Sequence, residues 1–219
     1  GSGSMNGSTT PPSMGQRNVA IGSSTMAFYT TASDNVAMGH NALNKIKTGK
    51  RNASFGYFAG SQLDSGENNV FLGYQSGAST VSGNKNVIIG SGAAQFSAVR
   101  DSSVMVGYQS GRLSTGGSNV FLGHQSGSTV TNESNLLLID NKSATDFQNE
   151  ALIYGEFDNK IVQVNDRLNI NQVMNLKPMA SAPTNPQTGD MYVEIGSSNT
   201  FDLKIYNAIS MSWTVIMTF

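Results

Sequence analysis

Apolar residues along this chain obey two periods at once. Over long range, a five-residue phrase, Asn-apolar-x-apolar-Gly, recurs as NVAIG (Asn18–Gly22), NVAMG (Asn35–Gly39), NASFG (Asn52–Gly56), NVFLG (Asn69–Gly73), NVIIG (Asn86–Gly90), SVMVG (Ser103–Gly107) and NVFLG (Asn119–Gly123). NLLLID, Asn135–Asp140, reads as a degraded eighth copy, which makes the spacing 17 residues five times and then 16 twice. Self-similarity at a fixed short period signals one stacked structural unit per repeat. Within each phrase the period is two: the second and fourth residues point one way from a strand and the third points the other. Gly ends the strand, and pairs such as Ser82-Gly83 signal a turn. A unit this short has room for two strands and two turns, one coil of a β-solenoid or β-roll. At roughly 4.8 Å per coil, about eight coils rise on the order of 40 Å.

The two strand faces carry a further inference. One face holds pairs such as Val19/Ile21, Val36/Met38, Val70/Leu72 and Leu136/Leu138. The other holds Ala20, Ala37, Ser54, Phe71, Ile88, Met105, Phe121 and Leu137, and grows bulkier toward the C-terminus. A strand apolar on both sides belongs in a setting buried on both sides. A thin coil is expected to cover one face alone, and an exposed row of Phe and Ile is an aggregation hazard. Neighbouring chains are therefore expected to cover the second face, in a parallel homotrimer.

Beyond residue 140 the Gly-punctuated period stops. Ala151–Gly155, Lys160–Val164 and Leu168–Ile170 read as short strands separated by turn sequences at Asp158-Asn159 and Asn165-Asp166. Pro178, Pro183 and Pro186 mark an extended linker. The last stretch reads as a three-stranded meander. Met191/Val193/Ile195, Phe201/Leu203/Ile205 and Trp213/Val215/Met217 alternate in its strands, with turns at Gly196–Asn199 and Asn207–Ser212. A module of about 40 residues without disulfide or metal is undersized for independent stability, so it too is expected to need its copies in other chains. The division that results is a scar and flexible lead-in over 1–15, a repeat β-roll over 16–140, a β connector and linker over 141–180 and a trimerising tip module over 181–219. The fold class is all-β.

These phrases support a resemblance. The NVAIG-type repeat resembles the head repeats of trimeric autotransporter adhesins, in which each chain makes a left-handed parallel β-roll and three rolls pack together. Those repeats are usually shorter, so the loops are expected to differ here. GENNVFLGYQSGASTVSGNKN (Gly66–Asn86) is similar to repeats in long fibre and surface proteins of Bacteroidetes and their phages, and Ser134–Ile170 looks like the segment that follows such repeats. Many relatives then end in an endosialidase-type self-cleaving chaperone. This chain carries instead APTNPQTGDMYVE…LKIYNAISMSWTVI (Ala182–Ile216), which resembles the small terminal modules of phage tail fibres. The resemblance spans roughly residues 16 to 217 and implies a homotrimeric tail fibre of a virion or phage-like injection particle.

Composition narrows the chemistry. Net charge is −1, with 24 Gly and no Cys among 219 residues. No global field favours nucleic acid, no apolar run is long enough to insert in a membrane, and disulfides and thiolate metal sites are excluded. GSGSM at the start reads as a scar, so a longer parent with a missing N-terminal portion is expected. His40 and His124 share a repeat slot with Tyr57, Tyr74 and Tyr108; lacking a His-x-His pair, they read as a ladder of polar-tipped side chains rather than a metal site. GYQSG (Gly73–Gly77, Gly107–Gly111) lacks the order of a nucleophile elbow, and GSGAA (Gly90–Ala94) sits at a repeat slot rather than opening a helix. Asp64, Glu67, Glu156 and Asp158 are scattered turn carboxylates, whereas a glycosidase needs a pair across a groove. No catalytic residue, metal or cofactor is assigned.

The candidates for receptor contact are Tyr192, Tyr206, Asn207 and Ser210 in the terminal module, Tyr206 being opposite the Phe201/Leu203/Ile205 face. A basic loop, Lys45, Lys47, Lys50 and Arg51, is the alternative, suited to phosphate or acidic sugars when tripled. The expected function is a non-enzymatic homotrimeric tail-fibre fragment, a stiff spacer plus a receptor-binding tip for a cell-surface glycan or protein. A bacterial surface adhesin of the same build and a polysaccharide-cleaving tailspike are the alternatives.

Overall fold

The computed structural model describes residues 15–98, 101–169, 191–195, 201–207 and 209–218. The chain folds as two units, the first ending at Arg167 and the second beginning at Leu168.

The first unit is a parallel β-solenoid. Seven three-residue strands, β1 (Val19–Ile21), β2 (Val36–Met38), β3 (Ala53–Phe55), β4 (Val70–Leu72), β5 (Val87–Ile89), β6 (Val104–Val106) and β7 (Val120–Leu122), and the four-residue β8 (Leu136–Ile139) stack in sequence order. Each pairs in parallel with the next, in the slots the repeat predicts, from Val19↔Val36 to Val104↔Val120. The last step departs from the sequence reading. Val120 pairs with Leu137 and Phe121 with Leu138, a step of 17 residues, so the eighth coil is offset by one from the Asn-based alignment. The corner residue ahead of each strand shows why. Arg51, Asn68, Lys85, Ser118 and Asn135 all turn the chain with φ between 56° and 63°, so Asn135 is the eighth corner and Leu136 takes the slot of the repeat Asn.

The middle residue of each strand points into the coil. Ala37, Ser54, Phe71, Ile88, Met105 and Phe121 are all fully buried, and Leu138 nearly so. The expectation that neighbouring chains cover this face is therefore corrected: the coil closes over it. The bulk that grows along this row is balanced by the opposite wall. Where the strand slot is small, at Ala37 and Ser54, the wall supplies Leu43, Ile46 and Leu63, all fully buried. Where the strand slot is large, the wall thins: Gly77 faces Phe71 with Thr80 buried in the same coil, and Gly111 and Ser114 share the coil of Met105. A Cβ added at Gly77, whose φ is +58°, collides with the Phe71 ring. Bulk on the strand is thus traded against bulk on the wall, as close packing demands.

The other strand face, the Val/Leu/Ile pairs, looks outward. None of Val19, Ile21, Val36, Met38, Val70 or Leu72 is buried, and Ile21 is 53% and Leu72 45% exposed. The result is one continuous apolar stripe up the sheet. It runs on into a hairpin, β9 (Ile153–Glu156) and β10 (Ile161–Val164), which adds antiparallel to β8 through Leu137↔Gly155 and Ile139↔Ile153. Residues 141–167 thus extend the solenoid's own sheet, with one helical turn, α1 (Phe147–Glu150), between β8 and β9 capped by the Asp146 side chain. That turn has no counterpart in the strand pattern read from sequence. Leu168 and Asn169 carry no strand, and Ile170 lies outside the described residues.

The buried Asn of the repeat holds successive coils together. The Asn35 Oδ1 accepts from the Asn52 backbone N–H at 2.9 Å and from Asn52 Nδ2 at 3.0 Å. Asn52 Nδ2 also donates to Gly66 O at 2.8 Å, across the coil. Asn69 and Asn86 continue the ladder at 3.0 Å and 3.1 Å. Ser103 interrupts it: Asn86 Oδ1 still accepts from the Ser103 N–H at 2.9 Å, but the Asn119 N–H reaches Ser103 Oγ only at 3.3 Å. The Gly that ends each strand has a steric reason as well: at Gly73, φ is +134° and an added Cβ would sit 2.6 Å from Gly90 O in the next coil.

The second unit contains a three-stranded antiparallel meander, β11 (Met191–Ile195), β12 (Phe201–Asn207) and β13 (Ser212–Thr218), in the order read from sequence. β12 and β13 pair with a register shift between Leu203 and Lys204.

Candidate functional site

Three surfaces hold the candidate residues, and each is built by the 17-residue ladder or by the terminal meander. On the terminal unit, Tyr192 lies on β11 opposite Lys204, while Tyr206 and Asn207 lie on β12 opposite Trp213 and Ser212. The side chains of Tyr192, Tyr206 and Asn207 lie outside the described residues. Ser210 is exposed in the β12–β13 turn, its hydroxyl 2.8 Å from that of Ser212. The same turn exposes Ile209 and Met211, at 94% and 81%. Exposed apolar side chains at a loop tip are a surface feature that a reading for aromatic and polar groups misses.

The basic loop is less basic than it reads. Lys47 Nζ lies 2.7 Å from Asp64 Oδ2, and Arg51 pairs with Glu67 while its Nε donates to Asn68 Oδ1 at 2.9 Å. Both carboxylates stand one coil further on, so the repeat itself generates inter-coil ion pairs. Arg17 and Asp34 repeat the device two coils earlier, and the Arg17 hydrogen bond holds the Asp34 carboxyl below the usual carboxylate range. Exposed pairs of this kind add little stability, but they neutralise local charge. Lys45 and Lys50 are both exposed. Lys45 and Lys47 line an open cavity of about 430 Å³ together with Phe28, Gln62, Asp64 and Val81. Phe28 and Val81 are 59% and 50% exposed there, so an apolar wall faces an ammonium and an amide.

The third surface is an aromatic ladder. His40 stacks on Tyr57 and Tyr57 on Tyr74, both with ring centroids 5.3 Å apart, and Tyr108 stacks on His124 at 5.2 Å. The two histidines are thus rungs among tyrosines. Among the described residues no group of three or more His, Cys, Asp or Glu is arranged to hold a metal.

The carboxylates have structural partners. Asp64 and Glu67 are the ion-pair acceptors above. Glu156 accepts from the Tyr154 hydroxyl and from Asn159 Nδ2, and these bonds, the Tyr154 one foremost, hold its carboxyl below the ordinary range. A general acid requires the opposite displacement. No helix among the described residues is long and apolar enough to cross a membrane.

Comparison with protein-family models finds no match to this chain, and comparison with curated proteins and with solved structures finds none either.

Proposed function

We propose that this chain is a segment of a non-enzymatic, homotrimeric attachment fibre, a stiff spacer joined to a C-terminal receptor-binding module, in a phage tail or phage-like particle. The observation that carries the reading is the outward apolar stripe of Val, Leu, Ile and Met along the whole solenoid sheet. A stripe of this length on a soluble protein calls for a cover. Its rungs repeat once per coil, and a second stack with the same rise matches them slot for slot. Other copies of this chain supply such a stack, and three around an axis cover every stripe at once. The interior ladders favour a spacer, since they present the same chemistry at each coil. Irregular loops on a rigid scaffold are where recognition concentrates, and three copies add avidity.

Light scattering is expected to give three times the chain mass of 23.1 kDa. Leu72→Asp, on the exposed face, is expected to shift this to a monomer with an unchanged β spectrum. A wild-type monomer sinks the trimer. Replacing residues 181–219 by an unrelated trimerisation module is expected to abolish attachment to target cells while the solenoid stays folded. Undiminished attachment moves recognition to the roll, where the cavity beside Lys45 and Phe28 is a specific alternative.

A further inference from the structure

The aromatic ladder lacks one rung. The slot that holds His40, Tyr57 and Tyr74 in the second to fourth coils holds Ser91 in the fifth, and the rings resume with Tyr108 and His124. The coils do not close up around the vacancy. Gly92 N donates to Tyr74 O at 2.8 Å and Gln109 N to Ser91 O at 2.9 Å, so the backbone keeps its step through the fifth coil. Tyr74 and Tyr108 are therefore two coils apart, about 10 Å at roughly 4.8 Å per coil. Neither ring has turned to fill the space. Tyr74 stays within 5° of parallel to Tyr57 and Tyr108 within 18° of His124, on the sides away from the vacancy. Both are about half exposed, at 53% and 48%, and Ser91 between them is exposed.

We propose that this notch is a binding slot for one pyranose ring of a glycan, held between the faces of Tyr74 and Tyr108. The walls are two aromatic faces spaced to admit a single ring. The floor and flank are polar: the exposed Ser91, with Gln95 and Gln109 beside the adjoining Gly92 and Gln75 bonded to Gln95. Gly92 makes the floor shallow, and a Cβ there would meet Gln109 Cγ at 3.2 Å and Gln95 Oε1 at 3.7 Å, so both amide side chains lean over it. Gln95 Nε2 donates to Gln75 Oε1, tying the flank of the fifth coil to the fourth. A sugar offers apolar C–H faces to such walls and hydroxyls to amides and a hydroxyl, which both donate and accept. An aromatic side chain from a protein partner matches the walls and leaves the polar flank unused.

The slot goes beyond the attachment reading: it gives the spacer a single-sugar contact of its own, in addition to recognition by the C-terminal module. The test is saturation-transfer NMR of the intact protein with the methyl glycosides of glucose, galactose, mannose and N-acetylglucosamine. Transfer to ring C–H protons of at least one is expected. Ser91→Tyr completes the ladder from His40 to His124, so it is expected to fold with an unlowered melting temperature and to weaken binding roughly tenfold or more, as loss of a stacking contact does. Tyr108→Leu, which leaves the coil's backbone bonds intact, is expected to weaken it similarly and is decisive if Ser91→Tyr misfolds. No transfer to any of the four with wild type, or undiminished transfer with the folded variants, overturns the slot. Glycoside binding is measured without cells, so its failure leaves the fibre reading standing, and failure of cell attachment leaves the slot standing.

Discussion

Phe121→Asp is expected to abolish cooperative folding of the C-terminal coils. Phe121 is fully buried at the middle of β7, stacked by register between Met105 and Leu138. The wall across from it is Gly127, where an added Cβ would lie 2.6 Å from Phe121 Cδ2. Glycine offers no side chain at that position to take up the volume, and removal of the ring alone costs about 3–5 kcal/mol. An unpaired carboxylate in its place adds several kcal/mol more. Ser54→Asp is the instructive comparison. Ser54 is equally buried, donating to Ala59 O at 2.8 Å, so its replacement too buries a charge, but it surrenders no large side chain. Circular dichroism melts are expected to rank Phe121→Asp well below Ser54→Asp and both below wild type. Equal melting of Phe121→Asp and wild type contradicts the inward placement of this face.

Asn69→Leu is expected to cost about 2–6 kcal/mol, because at least two buried polar groups lose their partners at about 1–3 kcal/mol each. Asn69 Oδ1 accepts from the Asn86 N–H at 3.0 Å, and Asn69 Nδ2 donates to Gly83 O at 2.7 Å. Leucine keeps the approximate size and supplies neither function. Asn69→Asp keeps the acceptor, loses the donor, and sets a negative charge beside Gly83 O and Asn52 Oδ1, so it is expected to be at least as damaging at neutral pH. Urea unfolding reads the loss as a lower midpoint. A midpoint unchanged for both variants removes the amide ladder as a source of stability.

The strands are legible in the sequence nearly to the residue because two independent periods, one of 17 and one of two, coincide on Val-x-Leu and its variants. The same alternation says that two faces exist and is silent on which one the coil encloses. Only the compensation between rows identifies the interior: Leu43, Ile46 and Leu63 dwindle to Gly77, Thr80 and Ser114 as Ala37 gives way to Phe71 and Met105. That trade runs between slots six to nine residues apart, outside the strand phrase itself. The eighth coil reads out of phase because Asn135 resembles the repeat Asn while standing in the corner slot, which Asn68 also fills. At the candidate sites, the basic loop reads as freely charged because its carboxylate partners lie a full coil away. The aromatic ladder is visible as a column of letters, and the meaning of Ser91 within it depends on a backbone spacing that is kept where the ring is missing.

The joint at Ser103 bears on how the solenoid would answer a pull along its axis. Between the third and fifth coils, each contact carries a side-chain amide that both accepts from the next coil and, at Asn52 and Asn69, bridges to the far turn. Linked amides polarise one another, so tension is shared along an unbroken column. Serine has no amide to extend, its bond to Asn119 is the longest of the series at 3.3 Å, and the same step is one residue shorter than its neighbours. Tension is therefore shared least well between the sixth and seventh strands, which makes that joint a built-in tear line: a stretched solenoid would part there first and leave the coils on either side wound.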